Sequence, residues 1–211
     1  RHKWFRSMTS SQALAQSVFG NLKLMERTDA LKNLTTEDGS SFFDSVPREA
    51  ELQCELECDV DYLGEDKKRR TSVDVLIETS HQYRIAVECK LSEPEVGSCS
   101  RPRLTLKDPN YARDHCDGSY TLQREREKRC SLTAAGIHYW GHVPELFRWS
   151  ADQDHPECPL RFTYQLVRNV LAACVRADHP GKTGTASAAN GHAVLLYDER
   201  NPAFIDGGKG D

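Results

Sequence analysis

Ser72-Val73-Asp74-Val75-Leu76-Ile77-Glu78, a turn at Ser80-His81-Gln82, then Tyr83-Arg84-Ile85-Ala86-Val87-Glu88-Cys89-Lys90-Leu91: this stretch decides the fold. Both runs are short, rich in β-branched residues and bounded by turn-forming residues, which predicts two consecutive strands. An acid interrupts each run. Asp74 stands between Val73 and Val75, and Glu88, 14 positions later, between Val87 and Cys89. A carboxylate inside an apolar strand is costly to bury unless a cation or hydrogen-bond donors compensate. Lys90 follows Glu88 by two positions, so strand periodicity places both side chains on one face. If the two strands pair as neighbours, Asp74 approaches that face as well. Two carboxylates suit Mg²⁺ (or Mn²⁺), a hard cation that takes oxygen ligands and keeps several waters. A lysine beside them orients a water or stabilises charge building on a phosphate, while the metal acts as Lewis acid and source of the nucleophile. The plainer reading is a surface salt bridge between strands. The placement of both acids within apolar runs, and not at their ends, argues against it.

The flanking segments extend the pattern. Ser10 to Met25 reads as a helix, capped by Ser10 or Ser11, with Leu14, Val18, Leu22 and Met25 at helical spacing. From Glu51 the period falls to two: Leu52, Cys54, Leu56, Cys58 and Val60 alternate with acids and Gln53, as in a half-buried strand. Residues 92 to 160 are rich in Pro, Cys, Asp and Arg and weakly periodic. Within them Tyr120 to Ala135 reads as a helix, and Gly136 to Phe147 carries aromatics fit for a lid or subdomain. Leu160 to Val175 predicts a helix with Phe162, Leu166, Val170, Leu171 and Cys174 along one side, and His192 to Asp198 a buried strand stopped by Asn201-Pro202. Helix, three strands, insertion, helix, strand is the order of a mixed sheet covered by helices.

Asp74, Glu88 and Lys90, in two adjacent apolar strands, resemble the D…(D/E)-x-K signature of the PD-(D/E)XK nuclease superfamily, which includes restriction endonucleases, repair nucleases and RecB-like exonucleases. The element order resembles that superfamily's αβββαβ core. Glu88-Cys89-Lys90-Leu91-Ser92-Glu93-Pro94 and Tyr164-Gln165-Leu166-Val167-Arg168-Asn169 are similar to a bacterial branch of restriction endonucleases, and the likeness spans most of the chain. The resemblance implies an α/β fold in a single domain, 1–211, with an insertion subdomain at about 92–160. It implies a Mg²⁺-dependent nuclease in which Asp74 and Glu88 bind the metal and Lys90 positions the water. DNA is the expected partner, restriction or defence the expected role, and a homodimer an arrangement open to such an enzyme. Two other readings stay open: a repair or RecB-like exonuclease using the same centre, and a non-catalytic nucleic-acid-binding protein on the same fold.

Supporting residues are less specific. Glu93, three positions after Lys90, is either a further acid or a strand-end charge. Related nucleases often carry an acid on the first helix, where this chain offers Gln12 and Gln16; Glu55 and Glu57 of the first strand are candidates for the missing acid. Gln165 matches the glutamine that RecB-like nucleases carry near the site, and Arg168, at helical spacing from it, suits a phosphate because arginine offers paired donors. For each of these, an ordinary exposed polar residue is the alternative.

Composition narrows the class. With 38% apolar and 28% charged residues the chain has material for a core, and no run approaches the roughly 18 apolar residues of a membrane helix. The start, Arg1-His2-Lys3-Trp4-Phe5-Arg6, lacks both Met and an apolar signal core, so we expect a fragment or excised segment of a cytoplasmic protein. The net charge of −4 does not advertise a nucleic-acid binder, although Lys67-Lys68-Arg69-Arg70 and Arg124, Arg126, Lys128 and Arg129 are local basic clusters. Of eight cysteines, Cys54, Cys58, Cys89 and Cys174 occupy apolar positions of predicted elements and read as core thiols. Cys99, Cys116, Cys130 and Cys158 all fall in the insertion. Four thiolates there suit a structural Zn²⁺, or a [4Fe–4S] cluster of the kind some RecB-like and Cas4-like nucleases carry. Their gaps of 17, 14 and 28 positions fit no standard zinc spacing, and free thiols are the alternative.

Overall fold

The computed structural model describes residues 10–36, 38–41, 43, 46, 49–66, 70–119, 130–149, 157–177 and 184–205. Lys67 to Arg69, the cluster from Arg124 to Arg129, and the first ten residues of the helix expected over Tyr120 to Ala135 lie outside them. Helix α1 is Ser11–Leu24, with the Ser10 hydroxyl accepting the Ala13 N–H at its start. Strands β1 (Leu52–Val60), β2 (Thr71–Thr79) and β3 (Arg84–Lys90) follow as an antiparallel meander. In the insertion, α2 (Tyr111–Asp114), α3 (Ser131–Ala134) and α4 (Tyr139–Leu146) are short. Helix α5 (Leu160–Cys174) then leads through the two-stranded ribbon β4 (Val175–Arg176) and β5 (Thr185–Ala186) to β6 (Gly191–Tyr197).

The sheet runs β1-β2-β3-β6, with β6 parallel to β3 along the whole of that strand. It is therefore mixed, and α1 and α5 pack against it. Strand β3 is paired on both edges and covered on both faces, which is why Ile85, Ala86, Val87 and Cys89 are wholly buried. Burying a side chain the size of Ile85 or Val87 contributes about 1.5–3 kcal/mol. One apolar cluster lies under α1 and contains Phe19, Val75, Ile77, Ile85 and Val87. The other lies under α5 and contains Val73, Leu76, Ala86, Val167 and Leu171.

Two expectations change phase. The buried residues of α1 are Ser11, Ala15 and Phe19, whereas Val18 and Met25 are exposed. Apolar residues line two sides of this helix, and the side bearing the bulky Phe19 is the one that seats. In α5 Phe162 is exposed, and the buried face runs through Val167, Asn169 and Leu171. Strand β1 also does not keep one face inward. Cys54 and Leu56 pack into the α1 cluster, but Cys58 and Val60 pack into the α5 cluster. Between them Glu57 adopts a left-handed φ of 54°, a conformation that costs about 1–2 kcal/mol outside glycine. The turn it introduces swaps the faces of the strand, and across the ladder Val73 and Val75 divide between the clusters in the same way. Asp74 sits at that swap.

Candidate active site

Strand β3 delivers Glu88 and Lys90 to its α5 face. The β2–β3 ladder ends at Val75 opposite Val87, so one further step brings Asp74 level with Glu88. There the Asp74 carboxylate accepts the Cys89 N–H at 2.9 Å. Glu88 is 1% exposed and Lys90 6%, and burial this deep is tolerable because the two are paired: Lys90 Nζ lies 2.8 Å from Glu88 Oε1. From α5 comes a matching polar patch. Gln165 Oε1 accepts a hydrogen bond from Lys90 Nζ at 3.0 Å, and Asn169 Nδ2 donates to Glu88 Oε2 at 2.8 Å. Helical spacing of four residues puts Gln165 and Asn169 on one stripe. Asn169 is 1% exposed, and its Oδ1 has no hydrogen-bond partner among the described residues.

Asp74, Glu88, Lys90 and Gln165 open on a cleft of about 740 Å³, lined also by Ser11, Gln12, Glu57, Arg70, Glu93 and Arg168. Burial, then the neighbouring charge of Glu88, push Asp74 up to about 6, only partly offset by the Cys89 N–H and Lys90. Glu93 behaves oppositely. Burial would raise it, but hydrogen bonds from the Ser11 hydroxyl and the Leu91 and Ser92 N–H groups outweigh that and hold it below the usual carboxylate range. Ser11 Oγ also accepts the Leu91 N–H at 2.8 Å, so Glu93 and Ser11 together fasten the end of β3 to the start of α1.

The remaining candidates divide. Gln12 lines the cleft, and Gln16 donates to Glu57 Oε1 at 3.2 Å. Glu57, not Glu55, is the first-strand acid in the cleft. Glu55 is exposed and accepts a hydrogen bond from Cys58, because the left-handed residue two positions on turns only Glu57 toward Asp74. Arg168 reaches the cleft but is committed to the Thr71 hydroxyl at 2.9 Å, the Arg70 carbonyl at 3.1 Å and Glu65 at 3.5 Å. Arg70, by contrast, lines the same cleft with its Nε buried and, among the described residues, without a hydrogen-bond partner. Two residues escaped the sequence reading. Asn169 was legible only as the end of the Tyr164–Asn169 stretch, and Arg70 only as the end of a basic run. A second cleft of about 730 Å³ shares Arg168 as a wall but contains neither Asp74 nor Glu88.

Asp74 and Glu88 supply the oxygen donors that a hard divalent cation takes. Both oxygens of Glu88 are already engaged, yet each carboxylate oxygen has a second lone-pair site. The proton affinity forced on Asp74 is what a bound cation relieves, so the residues fit such an ion. Among the described residues, no three His, Cys, Asp or Glu side chains stand ready-made around a metal.

A mixed sheet in the order β1-β2-β3-β6, flanked by α1 and α5, is a restriction endonuclease-like α/β core. The chain belongs to the REase-ARP family, described as restriction endonuclease associating with ARP, whose family model matches residues 1–209. Comparison with curated proteins and with solved structures gave no match.

Proposed function

We propose that the protein is a divalent-metal-dependent nuclease of the PD-(D/E)XK type that hydrolyses DNA phosphodiester bonds as an endonuclease in restriction or defence. The observation that carries this reading is the convergence of Asp74, Glu88 and Lys90 in one cleft, with Asp74 driven up to about 6 by burial and by Glu88. Asp74 and Glu88 would hold Mg²⁺ or Mn²⁺. Such an ion polarises a phosphoryl oxygen and lowers the pKa of a bound water.

The chain's own residues do the rest. Gln165 and Glu88 hold the Lys90 ammonium at a fixed place, where it orients the attacking water and offsets charge growing on the phosphate. Asn169 fixes the Glu88 carboxylate from behind, so its remaining lone pairs face the cleft. Arg70, in the cleft wall, offers its guanidinium to the nucleic-acid backbone. Arg168, tied to Thr71 and Glu65, keeps α5 against β2 and is a positioning residue.

The test is cleavage of supercoiled plasmid by the purified protein with Mg²⁺ or Mn²⁺, beside an EDTA control. Asp74→Ala, Glu88→Ala and Lys90→Ala are each expected to lower the rate by about three orders of magnitude or more, with circular dichroism unchanged. An Asp74→Ala protein that still cuts would sink the assignment. Binding of DNA without metal-dependent cutting would favour the non-catalytic reading, and cutting confined to linear DNA an exonuclease.

A further inference from the structure

The second cleft, of about 730 Å³, lies between the insertion and α5 and meets the active-site cleft at Arg168. Its size is that of a site for a small organic ligand. Helix α5 is the ridge between the two clefts. Consecutive residues on a helix stand about 100° apart, so Gln165 lines the active-site cleft, Tyr164 lines the second, and Arg168 lines both.

The lining says what kind of ligand fits. Leu104, Leu132, Ala135 and Ile137 give it apolar surface beside the Tyr164 ring. The Arg168 guanidinium lies 5.3 Å from the centre of that ring, and aromatic rings and guanidinium planes are the surfaces on which nucleobases stack. Both groups are held before any ligand arrives. Tyr139, wholly buried, packs against Tyr164 with 5.9 Å between ring centres. Arg168 is fixed by the Thr71 hydroxyl and the Arg70 carbonyl, so little side-chain freedom is lost on binding. Charge decides between a base and a phosphate. Buried Asp114 holds Arg101 and Arg113 at 2.7 Å each, which neutralises them. Among the described lining residues Glu65, Asp66, Asp108 and Asp114 outnumber Arg101, Arg113 and Arg168. That balance disfavours a phosphate and suits a neutral ring with polar edges. Ser100 and Asn110, also in the lining, offer uncharged donors and acceptors for such an edge.

We propose that this cleft is a base pocket, which receives one nucleobase unstacked from the strand that the neighbouring cleft cuts and stacks it on Tyr164 and Arg168. The strand as the source of the base rests on the nuclease reading. The shared Arg168 ties the two clefts to one substrate. A helix with its side chains is about 10–12 Å across, the length of about three stacked nucleotides. A base in this pocket therefore belongs to a nucleotide within about three of the scissile bond. Turning a base out of a duplex is costly, and least so where it is mismatched or already unpaired. The pocket thus biases the enzyme toward strands with unpaired bases near the cut.

The experiment is fluorescence anisotropy of the full chain with a labelled single strand of DNA in EDTA, where no base pair has to open and nothing is cut. A strand of ordinary bases is compared with one of the same length and charge made of abasic sites. The ordinary strand should bind about tenfold tighter or more. Ala135→Trp, at an exposed position of the lining, puts an indole into the cleft. It should abolish that ratio by weakening the ordinary strand, with the affinity for the abasic strand unchanged. Because a variant can fail to fold, the unmutated protein is also irradiated with a strand carrying 5-iodouracil, and the cross-link is expected on Tyr164. Equal affinity for the two strands, a ratio that survives in Ala135→Trp, or a cross-link confined to residues outside the cleft overturns the pocket. Free dAMP that competes as well as the strand overturns the strand as its source. Base-dependent binding without plasmid cleavage would cost only the nuclease reading, and cleavage without base-dependent binding only this one.

Discussion

Strands β2 and β3 and the insertion between Leu91 and Pro159 are held in place by opposite means. In the strands, neighbours in sequence decide the structure: apolar residues fill both faces of β3, and pairing with β2 and β6 satisfies its main chain. Among the described residues of the insertion the helices run four to eight residues, too short to be stable alone. Its order comes from contacts over long separations. Tyr139 is fully buried and donates to Glu65, Arg101 pairs with buried Asp114 at 2.7 Å, and Cys99 reaches Arg161. The strands therefore carry Asp74, Glu88 and Lys90. The insertion adds Glu93 at the end of β3 and packs beside the helix that bears Gln165 and Asn169.

This contrast can be broken or sharpened by measurement. The largest effect beyond the triad should come from the pH dependence of stability in EDTA. Asp74 is raised from 3.8 to about 6 in the folded protein, so the folded state binds the proton more tightly than the unfolded chain. Its contribution, up to about 3 kcal/mol, is complete below pH 3.8 and is lost as pH rises through 6. Denaturant melts across this window should lose that slope in Asp74→Asn. Added Mg²⁺ should restore stability at pH 7, and an unchanged slope in the variant would show that Asp74 is not the strained group.

Asn169→Ala removes the α5 donor to Glu88 but leaves the strands alone. Plasmid cleavage should fall about 10- to 100-fold, with a higher Mg²⁺ requirement; a wild-type rate would mean that β3 holds Glu88 unaided. Gly97 tests the insertion itself. It has φ +85°, and a Cβ there would lie 2.7 Å from Gln165 Oε1. Gly97→Ala should displace Gln165 from Lys90 and slow cleavage by about tenfold, at a thermal-stability cost that Gln165→Ala does not share. Smallest of all is Glu55→Ala, which should cut plasmid within about twofold of the unmutated rate, as surface substitutions do. A large loss there would contradict the assignment of Glu57 as the first-strand acid of the cleft.

Much of the site was readable because strand periodicity is local. Two apolar runs, an acid inside each and a lysine two residues after the second suffice to place Asp74, Glu88 and Lys90 on neighbouring strands. The supporting residues were less readable, since their roles depend on which elements meet. Glu55 and Glu57 look alike in an alternating run, and only the left-handed Glu57 sends one into the cleft and the other to solvent. Arg168 suits a phosphate by its type, and only the fold shows that it also contacts Thr71, Arg70 and Glu65. Asn169 gains its partner from a strand 81 positions away.

Taken alone, then, the sequence determined the element order, the mixed sheet and the strand positions of the acidic pair and the lysine, because hydrophobic alternation and the cost of burying a charge act over a few neighbouring residues. Tertiary structure alone decided which side of α1 is buried, where β1 changes face, and which α5 side chains hold Glu88 and Lys90. Each of these is a choice among locally equivalent residues, and packing across long separations makes it.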